Sequence, residues 1–235
     1  MPLSRKTKRR PLFGTSEEAV YANAFRAKRM NNFLVLVDAV LARKSVCRIV
    51  DLGGWKSYWT GLEDLWRNRN LSITLINLEE KSEHTEGHFI YMSGDARCLD
   101  EIPDNSFDIV HSNSVIEHVG TWSDKRNMAK EVRRLAPRYY VQTPNYWFPY
   151  EPHIRLPLFH WLPEPWQLRI LMSRPCGFHP RARNIDEARA ILSDASLLDA
   201  TAMTTLFPDA RIEREHFGPF TKSLIAVRDG GIPRS

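Results

Sequence analysis

The chain has 235 residues, 43% hydrophobic and 26% charged. That suffices for one large α/β domain, and no apolar run approaches the roughly 18 residues a membrane-spanning helix needs. Three cysteines, odd in number and without a Cys-x-x-Cys pair, exclude a disulfide framework and a thiolate zinc site and fit a reducing, cytoplasmic location. Much of the net charge of +5 sits in Arg5, Lys6, Lys8, Arg9 and Arg10. Residues 1–14 are therefore expected to be a solvated basic tail rather than a nucleic-acid arm, and residues 15–235 a single domain.

Ser16 followed by Glu17 and Glu18 marks a helix start, and the stretch through Tyr21, Phe25 and Met30 leads on to Val40 and Leu41 as a helical preface. Val46 to Asp51 is apolar and β-branched enough for a first strand. Leu62, Leu65 and Trp66 then predict a helix returning to Leu71. Residues 72–76 form a second strand, Phe89 to Met92 a short third. The turn cluster Pro103-Asp104-Asn105-Ser106 introduces a buried strand over Phe107 to His111. Ser123 is placed to cap a helix with Met128, Val132 and Leu135 on one face, before a fifth strand over Tyr139 to Gln142, stopped by Pro144. Strands alternating with helices at this spacing predict a doubly wound, mostly parallel sheet.

Residues 146–183 break this pattern with proline and aromatic rings, too many for a polar linker, and are expected to pack on the domain or on a ligand. Asn184 with Glu187 predicts the start of a helix through Ile191, Leu192 and Leu197. Arg211 to Glu215 and Lys222 to Arg228 read as closing strands around Gly218-Pro219.

At the end of the first strand stands Asp51-Leu52-Gly53-Gly54, where glycine permits both a tight turn and close approach of a ligand to the main chain. The following Trp55-Lys56-Ser57-Tyr58 does not supply the Gly-x-Gly-x-x-Gly of a dinucleotide site. Asn77 and Glu79 lie at the end of the second strand, each able to accept from a ribose hydroxyl. Gly94-Asp95-Ala96-Arg97 follows the third strand, and His111-Ser112-Asn113-Ser114-Val115-Ile116-Glu117-His118-Val119 ends the fourth. Each piece alone has a plain structural reading: a turn, a solvated acid, an ordered loop.

In this order the pieces resemble the class I S-adenosylmethionine-dependent methyltransferases, in particular small-molecule enzymes of the ubiquinone-methylase-like type. The resemblance covers about Val46 to Val141 and departs from acid-x-Gly-x-Gly-x-Gly at Trp55 and Ser57. It implies a Rossmann-like sheet with an antiparallel last strand and S-adenosyl-L-methionine as cofactor, held by Asp51, Gly53, Gly54, Asn77, Glu79, Asp95, Ala96, Ser112 and Asn113. Asp51 would hold the amino group and Asp95 the adenine amine.

His118 is the candidate general base, since an imidazole of ordinary pKa near 6.5 is neutral at work; the alternative is that it only orients the loop. The resemblance implies that residues 146–183 are a lid-like insertion from which Tyr146, Glu151, His153 and His160 face a small-molecule acceptor, with oxygen the methylated atom. An extra structural subdomain, or a surface resting on a membrane or partner, is the other reading of this segment. His84 and His88 have no third ligand in view, so no metal is expected. Two further readings stay open: a nucleic-acid methyltransferase, which lacks an Asn-Pro-Pro-Tyr motif here, and a non-catalytic cofactor-binding protein keeping the fold.

Overall fold

The structure, a computed structural model, describes residues 16–78, 80 and 83–231. The basic tail and Glu79 lie outside the described residues. Helix α1 (Ser16–Leu41) buries Met30, Phe33, Leu34, Val37 and Val40 at helical spacing, leaving Val35 out in solvent. Strand β1 (Cys47–Leu52) runs into the glycine turn. The single returning helix expected next is instead two short ones, α2 (Lys56–Thr60) and α3 (Glu63–Trp66). They are separated at Gly61-Leu62, and Trp59 and Trp66 pin them to the core with rings 6.1 Å apart.

Strand β2 (Leu71–Asn77) follows, and β3 (His84–Glu86) and β4 (Phe89–Ser93) form a hairpin. The β3 arm occupies ground expected to be loop; three residues paired at an edge carry too little periodicity to be read from sequence. Strand β5 (Ile109–Asn113) leads through a 3-10 turn at Ile116–His118 to α4 (Trp122–Leu135). Its cap is Thr121, two residues before the expected Ser123, in a reciprocal capping box with Asp124. Strand β6 (Tyr139–Pro144) ends the parallel series.

The lid carries a small hairpin, β7 (Tyr150–Glu151) and β8 (Leu156–Pro157), and a helix α5 (Glu164–Ser173) that the proline-rich sequence hid. Helix α6 (Ile185–Asp194) starts on Asn184, whose side chain accepts from the Glu187 N–H at 2.8 Å. It stops before Leu197, and a separate α7 (Ala200–Leu206) leads to β9 (Arg211–Phe217) and β10 (Phe220–Arg228).

One eight-stranded sheet results, ordered β3-β4-β2-β1-β5-β6-β10-β9. β4, β2, β1, β5 and β6 are parallel, and β10 pairs antiparallel with both β6 and β9. Alternation along the strands sorts the core to two faces. Ile49 and Ile109 pack under α1, α2 and α3, while Val50, Val110 and Val141 pack under α4 and α7. The lid has its own apolar cluster, built from Ile154, Phe159, Leu168, Leu171 and Ala188. Among the described residues no helix is long and apolar enough to cross a membrane.

Candidate active site at the carboxyl ends of the strands

The sheet reverses direction of winding between β1 and β5, and the loops after these strands open at the carboxyl edge, where ligands of doubly wound sheets sit. Gly53 adopts φ +71, and a Cβ there would lie 2.6 Å from Val115. At Gly54 a Cβ would lie 1.9 Å from the Asp51 carboxylate. Both glycines are thus required by the protein's own packing. Trp55, which could have plugged the hollow, is 62% exposed.

Asp51, which the resemblance makes a holder of the amino group, lies at the end of β1 just before the glycine turn. It is 1% exposed, with Oδ2 accepting from Trp59 Nε1 at 2.8 Å and Oδ1 paired with His111 Nδ1 at 2.8 Å. Parallel register sets Asp51 directly opposite His111, and Phe33, Tyr58, Trp59 and Tyr140 surround the imidazole. Burial pushes the Tyr58 hydroxyl up to about 12. Asp51 therefore braces the glycine turn from below, with no lone carboxylate presented outward.

Ser112 is likewise turned into the sheet, fully buried, donating to the Leu52 carbonyl at 3.0 Å. Asp95 forms a fork with Arg97, whose Nη2 stands 2.6 Å from Oδ2. The Arg97 hydrogen bonds hold its carboxyl below the usual range. An adenine amine would compete with that fork. Ala96 packs half-buried against the α4 side of the core.

Asn77 bridges two loops, donating Nδ2 to the Gly54 carbonyl at 2.7 Å, and among the described residues no hydrogen bond reaches its amide oxygen. Asn113 Oδ1 is buried without a hydrogen-bond partner. A buried acceptor left bare at a ligand-binding edge calls for a donor from outside the chain.

The loop after β5 carries Glu117 and His118 toward the lid. Glu117 is 1% exposed; Oε2 accepts from Thr143 Oγ1 at 3.0 Å, and Oε1 has no partner. Burial drives its pKa up against the pull of His118 and His153. His118 is a third exposed, with Nδ1 2.8 Å from the Asp194 carbonyl at the end of α6. Its ring meets that of His153 edge-on, centroids 4.7 Å apart.

Tyr146, Glu151, His153 and His160 come together around one cavity of about 250 Å³ between the lid and α6. His153 Nδ1 lies 2.7 Å from Glu151 Oε1. Burial opposes a charge on this ring, but the carboxylate outweighs it and raises the pKa. Glu151, 5% exposed, also accepts from the Ile154 N–H. His160 Nε2 bonds the Tyr146 carbonyl at 2.7 Å, and its Nδ1 is buried and unpartnered.

Sequence reading missed three contributors: His111, Thr143 and Asp194. His111 and Thr143 are matched to partners only by strand register and by the turn after β5, and Asp194 by where α6 ends. No local pattern announces any of these.

A sequence model described as a methyltransferase domain matches residues 66–138. An uncharacterized protein of Mycobacterium tuberculosis, present in strains H37Rv and CDC 1551, is 37% identical over 63 residues, 27% of this chain. The match spans only 22% of that relative's length. Among solved structures, the DszA carbon methyltransferase superposes with a TM-score of 0.56 at 12% identity, covering 94% of this chain and 57% of that one. An S-adenosylmethionine-dependent methyltransferase from Methanosarcina mazei gives 0.47 at 13% identity, over 78% and 92%. The chain thus has the fold of the class I S-adenosylmethionine-dependent methyltransferases, with the methyltransferase-domain pattern lying over residues 66–138.

Proposed function

We propose that this chain transfers a methyl group from S-adenosylmethionine to a small-molecule acceptor, with oxygen the methylated atom. The observation that carries this reading is the bare Asn113 Oδ1, buried at the switch point beside the glycine turn. It matches a donor such as the ammonium of the cofactor's methionine portion, the task first expected of Asp51. Asn77, whose amide oxygen meets no hydrogen-bond donor among the described residues, suits a ribose hydroxyl. Gly53 and Gly54 keep the turn low, and Asp51 holds it from beneath.

The cofactor supplies an electrophilic methyl on a sulfonium, and the chain's task is alignment of acceptor, carbon and sulfur. The lid cavity lined by Tyr146, Glu151, His153 and His160 suits the acceptor, being partly apolar with a few convergent polar groups. His118 is the acceptor-side residue: its Nδ1–H is fixed by the Asp194 carbonyl, which leaves Nε2 a lone pair.

Calorimetric titration with S-adenosylmethionine and with its demethylated product tests the reading. Binding of both is expected, and Asn113→Ala should weaken it by about 1.5–3 kcal/mol, the range for a hydrogen bond to a charged group. Absence of binding by either compound removes the proposal. A variant that binds as tightly as the parent moves the ammonium elsewhere.

A further inference from the structure

Glu117, His118 and His153 each offer a ligating atom, and the three atoms lie within 4.8 Å of one another. Neighbouring hydrogen bonds decide which atoms these are. A carbonyl can only accept, so His118 Nδ1 beside Asp194 carries the proton and Nε2 is bare. The Glu151 carboxylate takes His153 Nδ1–H in the same way, so that in the neutral ring Nε2 carries the lone pair. Glu117 Oε1 is buried with no partner, on a side chain otherwise held by Thr143.

Among the described residues no hydrogen bond joins Glu117 to either imidazole. The Lys125 ammonium is directed to the Gly120 and Glu117 backbone carbonyls at 2.8 and 3.4 Å. With both imidazoles neutral the cluster is made of acceptors facing one another, and its one fully buried member, the Glu117 carboxylate, is left without a donor at Oε1 unless a proton or a cation completes the set.

We propose that Glu117, His118 and His153 bind a divalent first-row transition-metal ion. One carboxylate with two imidazoles suits Zn²⁺ or Fe²⁺, whereas Mg²⁺ and Ca²⁺ favour oxygen alone. Glu151 orients His153 from behind, as carboxylates do for metal-bound imidazoles. With metal–ligand bonds of about 2.0–2.2 Å the three atoms must draw together, and His118, a third exposed, has room to turn.

Three protein ligands leave coordination positions free, and His153 is shared with the lid cavity, so an oxygen-bearing occupant of that cavity is the natural further ligand. A lone pair given to a cation cannot also take a proton. In the loaded protein His118 is then a ligand, and the cation itself lowers the pKa of a hydroxyl it touches. The site needs none of the methyl-transfer reading, since cation binding is measured directly.

The test uses the full-length, tag-free protein, stripped with a chelator and titrated calorimetrically with Zn²⁺ and, separately, Mg²⁺. Stoichiometric Zn²⁺ binding is expected, with no comparable Mg²⁺ binding. His153→Ala and Glu117→Gln should weaken Zn²⁺ at least tenfold, and Glu151→Gln by about 10–100-fold. His84→Ala, in the distant edge hairpin, should leave it unchanged. Affinity for demethylated cofactor should survive His153→Ala, which separates failure of the cation site from failure of the cofactor reading. Should a variant not fold, Co²⁺ absorption of the parent protein decides: visible bands of a nitrogen-and-oxygen ligand set are expected. No stoichiometric Zn²⁺ binding, equal Mg²⁺ binding, undiminished binding by His153→Ala, or a Co²⁺ spectrum of the free aquo ion each overturns the proposal.

Discussion

Trp59 holds the glycine turn through one atom, because its indole N–H donates to Asp51 Oδ2 where both side chains are buried. Trp59→Phe keeps most of the apolar packing and removes the donor. It should cost about 2–3 kcal/mol in urea unfolding, the penalty for leaving a buried acceptor unmade. A change below about 0.5 kcal/mol, the level of an ordinary surface substitution, would show that the carboxylate finds another partner. The cysteines offer a second residue-scale measurement. Burial, reinforced by Asp108, pushes the Cys47 thiol up to about 12, and Cys176 is buried too, while Cys98 is exposed. A thiol reagent on the native protein is expected to modify Cys98 alone, and all three after denaturation. Rapid native labelling of Cys47 would contradict the packing of β1.

The lid depends on two local devices. Gly177 has φ +56, and a Cβ there would lie 2.0 Å from the His153 carbonyl oxygen. Gly177→Ala must therefore displace the backbone that carries His153, an effect that exceeds the intrinsic cost of the left-handed conformation. Helix α6 begins at the Asn184 cap and ends at Asp194, the carbonyl that fixes the His118 tautomer. Asn184→Ala should cost about 1 kcal/mol, and hydrogen exchange should localise the loss to the first turn of α6. Uniform protection across α6 in that variant would mean that lid packing, rather than the cap, holds the helix.

Across the molecule, the ion pairs set the response to acid. Asp95 is held below its ordinary value first by the Arg97 hydrogen bonds, Asp124 by those of Thr121, and Glu187 by those of Arg183. A carboxyl lowered on folding stabilises the protein above its unfolded pKa, and that contribution disappears as pH falls through the folded value. Stability should thus decline below about pH 4, and Asp95→Asn should flatten the decline. An unchanged acid limb would mean that the Arg97 fork contributes nothing in solution. We further propose that residues 15–235 behave as one domain; a single transition by circular dichroism and by tryptophan fluorescence is the expected outcome.

The sequence by itself determined the alternation of strands and helices, the order of the motif loops and the site of the glycine turn, because apolar periodicity and glycine tolerance act over a few neighbouring residues. It placed Tyr146, Glu151, His153 and His160 in one segment, and they do line one cavity. Tertiary structure alone decided what the polar groups do. Asp51 and Ser112 read from the sequence only as cofactor-binding candidates, whereas pairing between strands sets one against His111 and lets the other donate to the Leu52 carbonyl. Glu117 and His153 are far apart in the chain and meet only because the lid folds back over the turn after β5. A side chain's partners depend on pairing and packing between distant segments, and these carry no signature in any short stretch of sequence.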